Sequence, residues 1–351
     1  MDAAITSIDD LEKYLNSALQ LEHATIPLYL TALYSLHPEH NSDARHILRV
    51  VVVEEMLHLT LVANLMNAVG LTPSLTWDGF VPDYPTGLPD GEKDFTVSLQ
   101  PFCRDAVTTF LNIERPRKAP SEDKRLVRRA RTARPLLGTI PGDVTRQYYS
   151  IGEFYEEIAR GVRYLHGKYA DEGKSLFCGD PAKQVTPEYF YSGGGEAIPI
   201  TDLASAMAAL DLIAEQGEGL GGGIYDSVGE LAHYYRFDQL ERGRYYAKGD
   251  EPGKPSGPPL EIDWDAVYPT VTDAKLANYE GHSQLYAAAR EFNESYAGFL
   301  EFLTQAFNGA PSLLLEAVWR MFRVRDDMNR VIRNPIPGAG GVHAAPTFEI
   351  H

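Results

Sequence analysis

Residues 53–58 read Val-Glu-Glu-Met-Leu-His, which places Glu55 three residues before His58 within an apolar run. The same Glu-x-x-His spacing recurs at Glu230 and His233. Positions i and i+3 of an α-helix lie on one face, so both side chains of a pair can reach one metal ion. Two such pairs, with one Glu from each of two further helices, form the ligand set of di-iron and di-manganese sites inside four-helix bundles. The repeated motif therefore predicts a mainly α-helical protein with a dinuclear metal site.

A third ligand candidate, Glu22, lies near the N-terminus. Apolar residues recur around it at helical spacing, namely Leu15, Leu19, Ile26 and Tyr29. A carboxylate without a partner is costly on a buried stripe. The position of Glu22 therefore indicates a compensating cation, and a metal ion fits that requirement.

The fourth helix contribution has two candidates, Glu153 and Glu157, which are one helical turn apart. Both lie on a face that flanks the most apolar stripe of their predicted helix, so spacing alone leaves both open. Carboxylates have two oxygens and bridge two ions well, and an imidazole completes each ion. The predicted ligand set is one nitrogen per ion, two bridging carboxylates and two terminal carboxylates: His58, His233, Glu55, Glu230, Glu22 and either Glu153 or Glu157.

Apolar periodicity and helix-ending Gly and Pro residues predict the organisation of the chain. The four bundle helices are expected at about residues 7–36, 43–69, 150–169 and 226–242. A long insertion rich in Pro and Gly separates the second helix from the third, and connections of this length are often functional. Further helices are expected in a C-terminal extension over residues 278–333. No linker interrupts the span of the candidate ligands, so one domain over residues 1–351 is predicted.

Composition excludes several classes of function. The net charge of −17 argues against nucleic acid as a partner, because phosphate binding needs a basic surface. No run approaches the roughly 18 apolar residues of a membrane span. The N-terminus lacks the pattern of a signal peptide, and two cysteines provide no disulfide framework. We expect a cytoplasmic protein without a membrane partner, and a small homo-oligomer is compatible with these features.

Aromatic and basic side chains on the same predicted helices are candidates for substrate binding. Tyr29 and Tyr164 could line a pocket for an aromatic molecule, with core packing as the alternative role. Arg160 and Arg236 are suited to hold a substrate carboxylate, because a guanidinium binds carboxylates through paired hydrogen bonds.

Several stretches resemble the ferritin-like domain of the iminophenyl-pyruvate dimer synthase family. These stretches are residues 21–30, 53–58, 110–116, 150–155, 233–237 and 307–311, and they are spread so widely that the resemblance extends over nearly the whole chain. The resemblance implies a ferritin-like four-helix bundle, and its Gly-Glu-Phe-Tyr element favours Glu153 over Glu157 as ligand. Such domains occur inside larger enzymes of violacein- and indolocarbazole-type pathways, so this chain is expected to be a stand-alone version.

We expect a metal-dependent oxidase or oxygenase that acts, with dioxygen, on a small amino-acid-derived or aromatic metabolite in natural product biosynthesis. Two iron ions are the expected cofactor, and manganese, a mixed iron–manganese pair or a single metal ion would use the same ligands. The alternative functions are metal storage, which requires a cage of many subunits, and a non-catalytic pathway partner.

Overall fold

The computed structural model describes residues 4–90, 93–118, 123–129, 146–191 and 194–350, together with the backbone of residues 134–135. The described chain is mainly α-helical, as predicted. Its eight α-helices are α1 (Ile8–Ser35), α2 (Ser42–Ala68), α3 (Arg104–Ile113), α4 (Ile151–Asp171), α5 (Leu203–Glu218), α6 (His233–Arg242), α7 (Ser283–Phe307) and α8 (Leu313–Ile332). Two short strands, β1 (Arg134–Pro135) and β2 (Arg146–Gln147), pair antiparallel within the insertion.

The two longest helices, α1 and α2, form the most extensive helix pair. α1 starts with a capping box, in which the Ser7 hydroxyl accepts from the Asp10 amide and the Asp10 carboxylate accepts from the Ser7 amide. α2 ends just before Gly70, whose φ of 80° suits a residue without a Cβ. Both helices are buried over most of their length, including Glu22 and Glu55. The pair therefore forms the scaffold onto which the remaining helices bring further polar groups.

The predicted third and fourth bundle helices, now α4 and α6, pack chiefly against helices outside the predicted four. α4 packs chiefly against α5, whereas α6 packs chiefly against α3 from the insertion. α5 and α6 also contact α2 and each other. The fourth bundle position beside α4 is thus filled by α5, and α3 with α6 closes one side of the bundle. The insertion thus contributes the helix α3 to the packing around the bundle.

The predicted fourth helix, residues 226–242, begins later than expected. The Asp226 carboxylate accepts from the backbone N–H of Glu230, and Gly229 has a φ of 89°. These features form a tight turn, because the Asp226 side chain accepts from the backbone N–H and the positive φ of Gly229 reverses the direction of the chain. Helix α6 starts only at His233, so Glu230 precedes the helix and the second Glu-x-x-His pair is not helical.

The C-terminal helices α7 and α8 pack against each other, and they also contact α2 and α1 respectively. The following segment returns across α7, where Phe348 lies 4.9 Å from Phe292 and 5.0 Å from Tyr296 between ring centroids. One connected cluster of buried apolar side chains runs from Ile5 to Phe348. Domain number stays a prediction, and this shared core supports a single unit.

None of the helices in the described part of the chain combines the length and apolar character needed to span a bilayer.

Candidate metal centre

Five buried side chains converge between α1, α2, α3 and α6. They form two overlapping triads, within each of which one donor atom per residue lies within 4.8 Å of the others. One triad consists of Glu22, Glu55 and His58, and the other of Glu55, Glu114 and His233. Every one of these side chains belongs to a residue that is at most 4% exposed. Glu55 belongs to both triads and therefore occupies the position expected of a bridging ligand.

The two oxygens of Glu55 face different imidazoles. Its Oε2 lies 3.8 Å from His58 Nδ1, whereas its Oε1 lies 3.2 Å from His233 Nδ1. A second carboxylate completes each triad: Glu22 Oε2 is 3.2 Å from His58 Nδ1, and Glu114 Oε2 is 3.5 Å from His233 Nδ1. The imidazoles stack with their centroids 5.5 Å apart and their planes at 25°. Both histidines thus present Nδ1 to a pair of carboxylates.

Local structure explains how each ligand candidate reaches the cluster. Glu55 and His58 share one face of α2, as their i and i+3 spacing requires. Glu114 is the residue that caps the C-terminus of α3, where its backbone N–H donates to the Phe110 carbonyl. His233 is the first residue of α6. The second triad therefore joins two helix ends to Glu55 in the interior of α2, whereas the first comes from the interiors of α1 and α2.

The residues present fit a pair of divalent ions. Three carboxylates and two imidazoles are the donor types that iron and manganese prefer in such sites. His233 Nδ1 is buried and makes no hydrogen bond to any described residue, although it faces carboxylate oxygens. Buried polar atoms are normally satisfied, so such an atom calls for an explanation. A metal ion bound at Nδ1 provides one.

The electrostatics of the cluster favour positive charge. Burial raises the pKa of Glu22 to about 7, and the nearby Glu55 charge adds to the rise. Burial lowers the pKa of His58, but hydrogen bonds and charges from Glu22 and Glu55 outweigh this effect and raise the pKa to about 10. For His233 the pKa is also well above its ordinary value, because Glu114, Glu54 and Glu55 outweigh burial. The carboxylates of the cluster therefore stabilise positive charge on both imidazoles, as they would on a bound cation.

Two buried tyrosines orient the terminal carboxylates. The Tyr155 hydroxyl on α4 donates to Glu22 Oε1. The Tyr29 hydroxyl on α1 donates to Glu114 Oε1 at 2.5 Å. Burial raises the pKa of each phenol well above its usual range, so both remain neutral donors. Tyr29, predicted as a substrate-binding residue, is thus placed where it fixes a ligand candidate.

Four of the six predicted metal ligands come together in the cluster, namely Glu22, Glu55, His58 and His233. Glu230 does not, since its side chain is 67% exposed and lies 3.4 Å from Arg236 Nη2. Glu230 lies in the turn before α6, so its i, i+3 spacing from His233 does not place the two side chains on one helical face.

Glu153 also lies outside the cluster, and it serves the start of α4. Its Oε2 accepts from the Tyr149 backbone N–H, while the Ser150 hydroxyl accepts from the Glu153 N–H. Acidic residues in the first helical turn stabilise the N-terminus in this manner. The Ser-x-x-Glu spacing at residues 150–153 is a sequence signature of such a cap.

The remaining α4 candidates lie away from the metal centre. Glu157 is buried, but its oxygens accept from the Ala4 backbone N–H at 2.9 Å and from Arg160 Nη1 at 2.7 Å. The Arg160 side chain is 50% exposed, and Tyr164 is 48% exposed. The structure does not bring Arg160 or Tyr164 to the cluster. Arg236 is different, because it is buried and contacts Glu54 beside His233.

Sequence reasoning missed Glu114 as a ligand candidate. The signal was present, because Glu114 follows Val107, Phe110 and Leu111 at the spacing of one helical face. The same signal identified Glu22 within its apolar stripe. Glu114 was passed over because it lies in the insertion, outside the four helices assigned to the bundle.

Comparison with known proteins agrees with this architecture. A curated relative, dichlorochromopyrrolate synthase of Lentzea aerocolonigenes, is 27% identical in an alignment 330 residues long that covers 86% of this chain. The match spans only 29% of that biosynthetic enzyme's length. Among solved structures, a ferritin-like protein from Caulobacter vibrioides matches with a TM-score of 0.61 and 23% identity, over 97% of this chain and 98% of the other. This second likeness bears on the fold alone.

The family model that matches is described as ferritin-like, and it covers residues 15–242. That span runs from the first half of α1 to the end of α6, so it contains both carboxylate–histidine triads. On this evidence the chain belongs to the ferritin-like family.

Proposed function

We propose that the protein is a metal-dependent oxidoreductase, namely a non-haem di-iron oxidase or oxygenase of specialised metabolism. Its substrate is a small amino-acid-derived or aromatic metabolite, and its oxidant is dioxygen. The observation that carries the proposal is the sharing of Glu55 between two buried carboxylate–histidine triads. A shared carboxylate with one imidazole on each side is suited to a pair of ions. A single ion would not need both triads of donors.

Bound iron would supply the redox chemistry, by passing electrons between the organic substrate and dioxygen. A two-electron oxidation of the substrate is balanced by reduction of dioxygen to hydrogen peroxide. Insertion of one oxygen atom is balanced by two further electrons from an external reductant and by release of water. Manganese in the same ligands is the alternative metal.

The chain's own residues prepare this site by holding the donors and excluding water. Tyr29 and Tyr155 each donate to one terminal carboxylate, which fixes the direction of its oxygens. The Tyr29 ring packs against Phe110 at 4.8 Å and against Phe237 at 5.2 Å. These apolar contacts keep bulk water away from the carboxylates, and electrostatic interactions are stronger in such surroundings.

The relative gives the proposal its metabolic setting. Dichlorochromopyrrolate synthase is a biosynthetic enzyme, and its similarity covers 86% of this chain. Because the match spans 29% of that enzyme, its complete reaction is not assigned to this chain. The part that we carry over is a role in the formation of a natural product, and we infer the oxidative character of that role from the metal centre.

Metal content and dioxygen uptake test the proposal together. The protein is loaded with ferrous iron under argon, freed of excess metal and analysed by mass spectrometry for iron per chain. We expect two ions per chain, and dioxygen consumption that rises when aromatic amino acids or their oxidised derivatives are added. Glu230→Gln is the matched control, because Glu230 is an exposed acid outside the cluster. Failure to retain either iron or manganese would refute the proposal.

Size-exclusion chromatography separates the enzyme from the storage alternative. Storage requires a cage of many subunits, whereas the proposed oxidase works as a monomer or a small oligomer. A large assembly that takes up many iron ions per chain would favour storage.

A further inference from the structure

The nitrogen of each imidazole that points away from the carboxylate cluster has a different acceptor. His58 Nε2 lies 2.9 Å from Gln216 Oε1 of α5. His233 Nε2 lies 2.9 Å from Glu54 Oε2 of α2. Both acceptors are buried, with Gln216 5% and Glu54 4% exposed. One imidazole is therefore held by a neutral amide and the other by a carboxylate.

The orientation of the Gln216 amide is fixed by its second contact. Gln216 Nε2 donates to the Gly194 carbonyl at 2.6 Å, and a carbonyl can only accept. The oxygen of the amide must therefore face His58, so His58 Nε2 carries a hydrogen and donates. The nitrogen left to face Glu22 and Glu55 is Nδ1, which is the atom that a metal ion would need.

Glu54 fixes His233 in the same tautomer. Its Oε2 accepts from His233 Nε2, and Arg236 Nη2 lies 3.4 Å from the other oxygen. Gly194 also packs here, since a Cβ at that position would lie 2.5 Å from Glu54 Cγ. One glycine therefore supports both acceptors, through its carbonyl to Gln216 and through close packing against Glu54.

The two acceptors act differently on their imidazoles. A carboxylate that accepts from the outer N–H makes an imidazole a stronger donor to a metal ion, and loss of such a partner typically weakens metal binding 10- to 100-fold. A neutral amide orients the ring but lacks the negative charge. The two ion positions share Glu55 and each has one further carboxylate and one imidazole. They differ in the group that accepts from Nε2 of the imidazole, which is Gln216 at His58 and Glu54 at His233.

We propose that Glu54 and Gln216 are positioning residues that make the two metal positions unequal. The position formed by Glu55, Glu114 and His233 binds its ion more tightly and fills first. The position formed with Glu22 and His58 fills second. This inference rests on the metal centre of the proposed function and adds an order of loading to it.

Cobalt(II) titration under argon tests the order, with the visible spectrum and a competing chelator giving one dissociation constant per ion. Glu54→Gln should weaken the tighter ion 10- to 100-fold and leave the other within about threefold. Gln216→Glu should tighten the weaker ion. The double variant exchanges carboxylate and amide, so it should reverse which position fills first.

Two ligand variants assign the constants to positions. Glu22→Gln should retain the tighter ion, and Glu114→Gln should retain the weaker one. Glu157→Gln is the matched control for Glu54→Gln, because Glu157 is a buried glutamate that contacts Ala4 and Arg160 and not the cluster. The control should show wild-type constants and a wild-type cobalt spectrum.

The possible failures are distinguishable. Wild-type protein that binds no cobalt, iron or manganese would overturn the metal centre and with it the proposed function. Two ions bound with wild-type constants by Glu54→Gln, or equal weakening of both ions, would overturn only the inequality. If Glu54→Gln does not fold, as judged by circular dichroism, the decision rests on Gln216→Glu, and an unchanged weaker constant in that variant refutes the proposal.

Discussion

Replacing Glu55 by Gln should disturb both metal positions, whereas replacing Glu22 or Glu114 should disturb one. Glu55 is the residue common to the two triads, and its oxygens face His58 and His233 separately. Glutamine preserves the size of the side chain but removes its charge. The comparison therefore tests the bridging role and not the packing of α2.

The expected magnitude follows from the burial of the cluster. Removing one partner from a buried ionic interaction costs about 3–5 kcal/mol. Since about 1.4 kcal/mol corresponds to a factor of ten, each affected ion should bind roughly 10²- to 10⁴-fold more weakly. Glu55→Gln should lose both ions at micromolar metal, and Glu22→Gln and Glu114→Gln should each retain one.

The assay is equilibrium dialysis against ferrous iron under argon, followed by elemental analysis of iron per chain. Circular dichroism of the metal-free proteins controls for folding. Retention of one ion by Glu55→Gln would refute the bridging role. Loss of both ions from Glu22→Gln and Glu114→Gln alike would show instead that the site loads only as a unit.

Three further predictions concern other residues. Glu153→Gln and Glu230→Gln should each retain both ions in the same dialysis assay, because these side chains cap α4 and face solvent respectively; loss of an ion from either would restore it as a ligand. Tyr155→Phe should lower the free energy of unfolding of the metal-free protein by about 1.5–3 kcal/mol in urea titrations, since the phenol donates to the Glu22 carboxylate; unchanged stability would contradict this contact. Burial raises the pKa of Asp90 from 3.8 to about 6, against the opposing charge of Arg129, so folding binds a proton that the unfolded chain releases. The stability linked to that proton is full below pH 3.8 and is lost as pH rises through 6. Asp90→Asn should therefore raise the free energy of unfolding by roughly 3 kcal/mol at pH 7.5 and much less near pH 4; an equal effect at both pH values would contradict the assignment.

The comparison of Glu22 with Glu153 shows how far local pattern reaches. Both are helical glutamates near apolar residues, but Glu22 lies within its apolar stripe and Glu153 lies in the first turn beside Ser150. A carboxylate in a buried stripe needs a cation, whereas one in a first turn is already satisfied by backbone N–H groups. Both residues were predicted as ligands, but the position of Glu153 at the helix start distinguishes a capping residue from a ligand candidate.

The sequence by itself determined the helical class, the burial of Glu22 and the pairing of Glu55 with His58, because these depend on periodicity within one helix. It could not determine that Glu114 replaces Glu230 beside His233. That exchange depends on α3 packing against α6 and on the turn before α6, which bring together residues far apart in the chain. It also could not identify Gln216 and Glu54 as the partners of the imidazoles. Tertiary structure decided these points, because hydrogen bonds between helices depend on how the helices pack. Such contacts produce no periodic pattern of residues in the sequence.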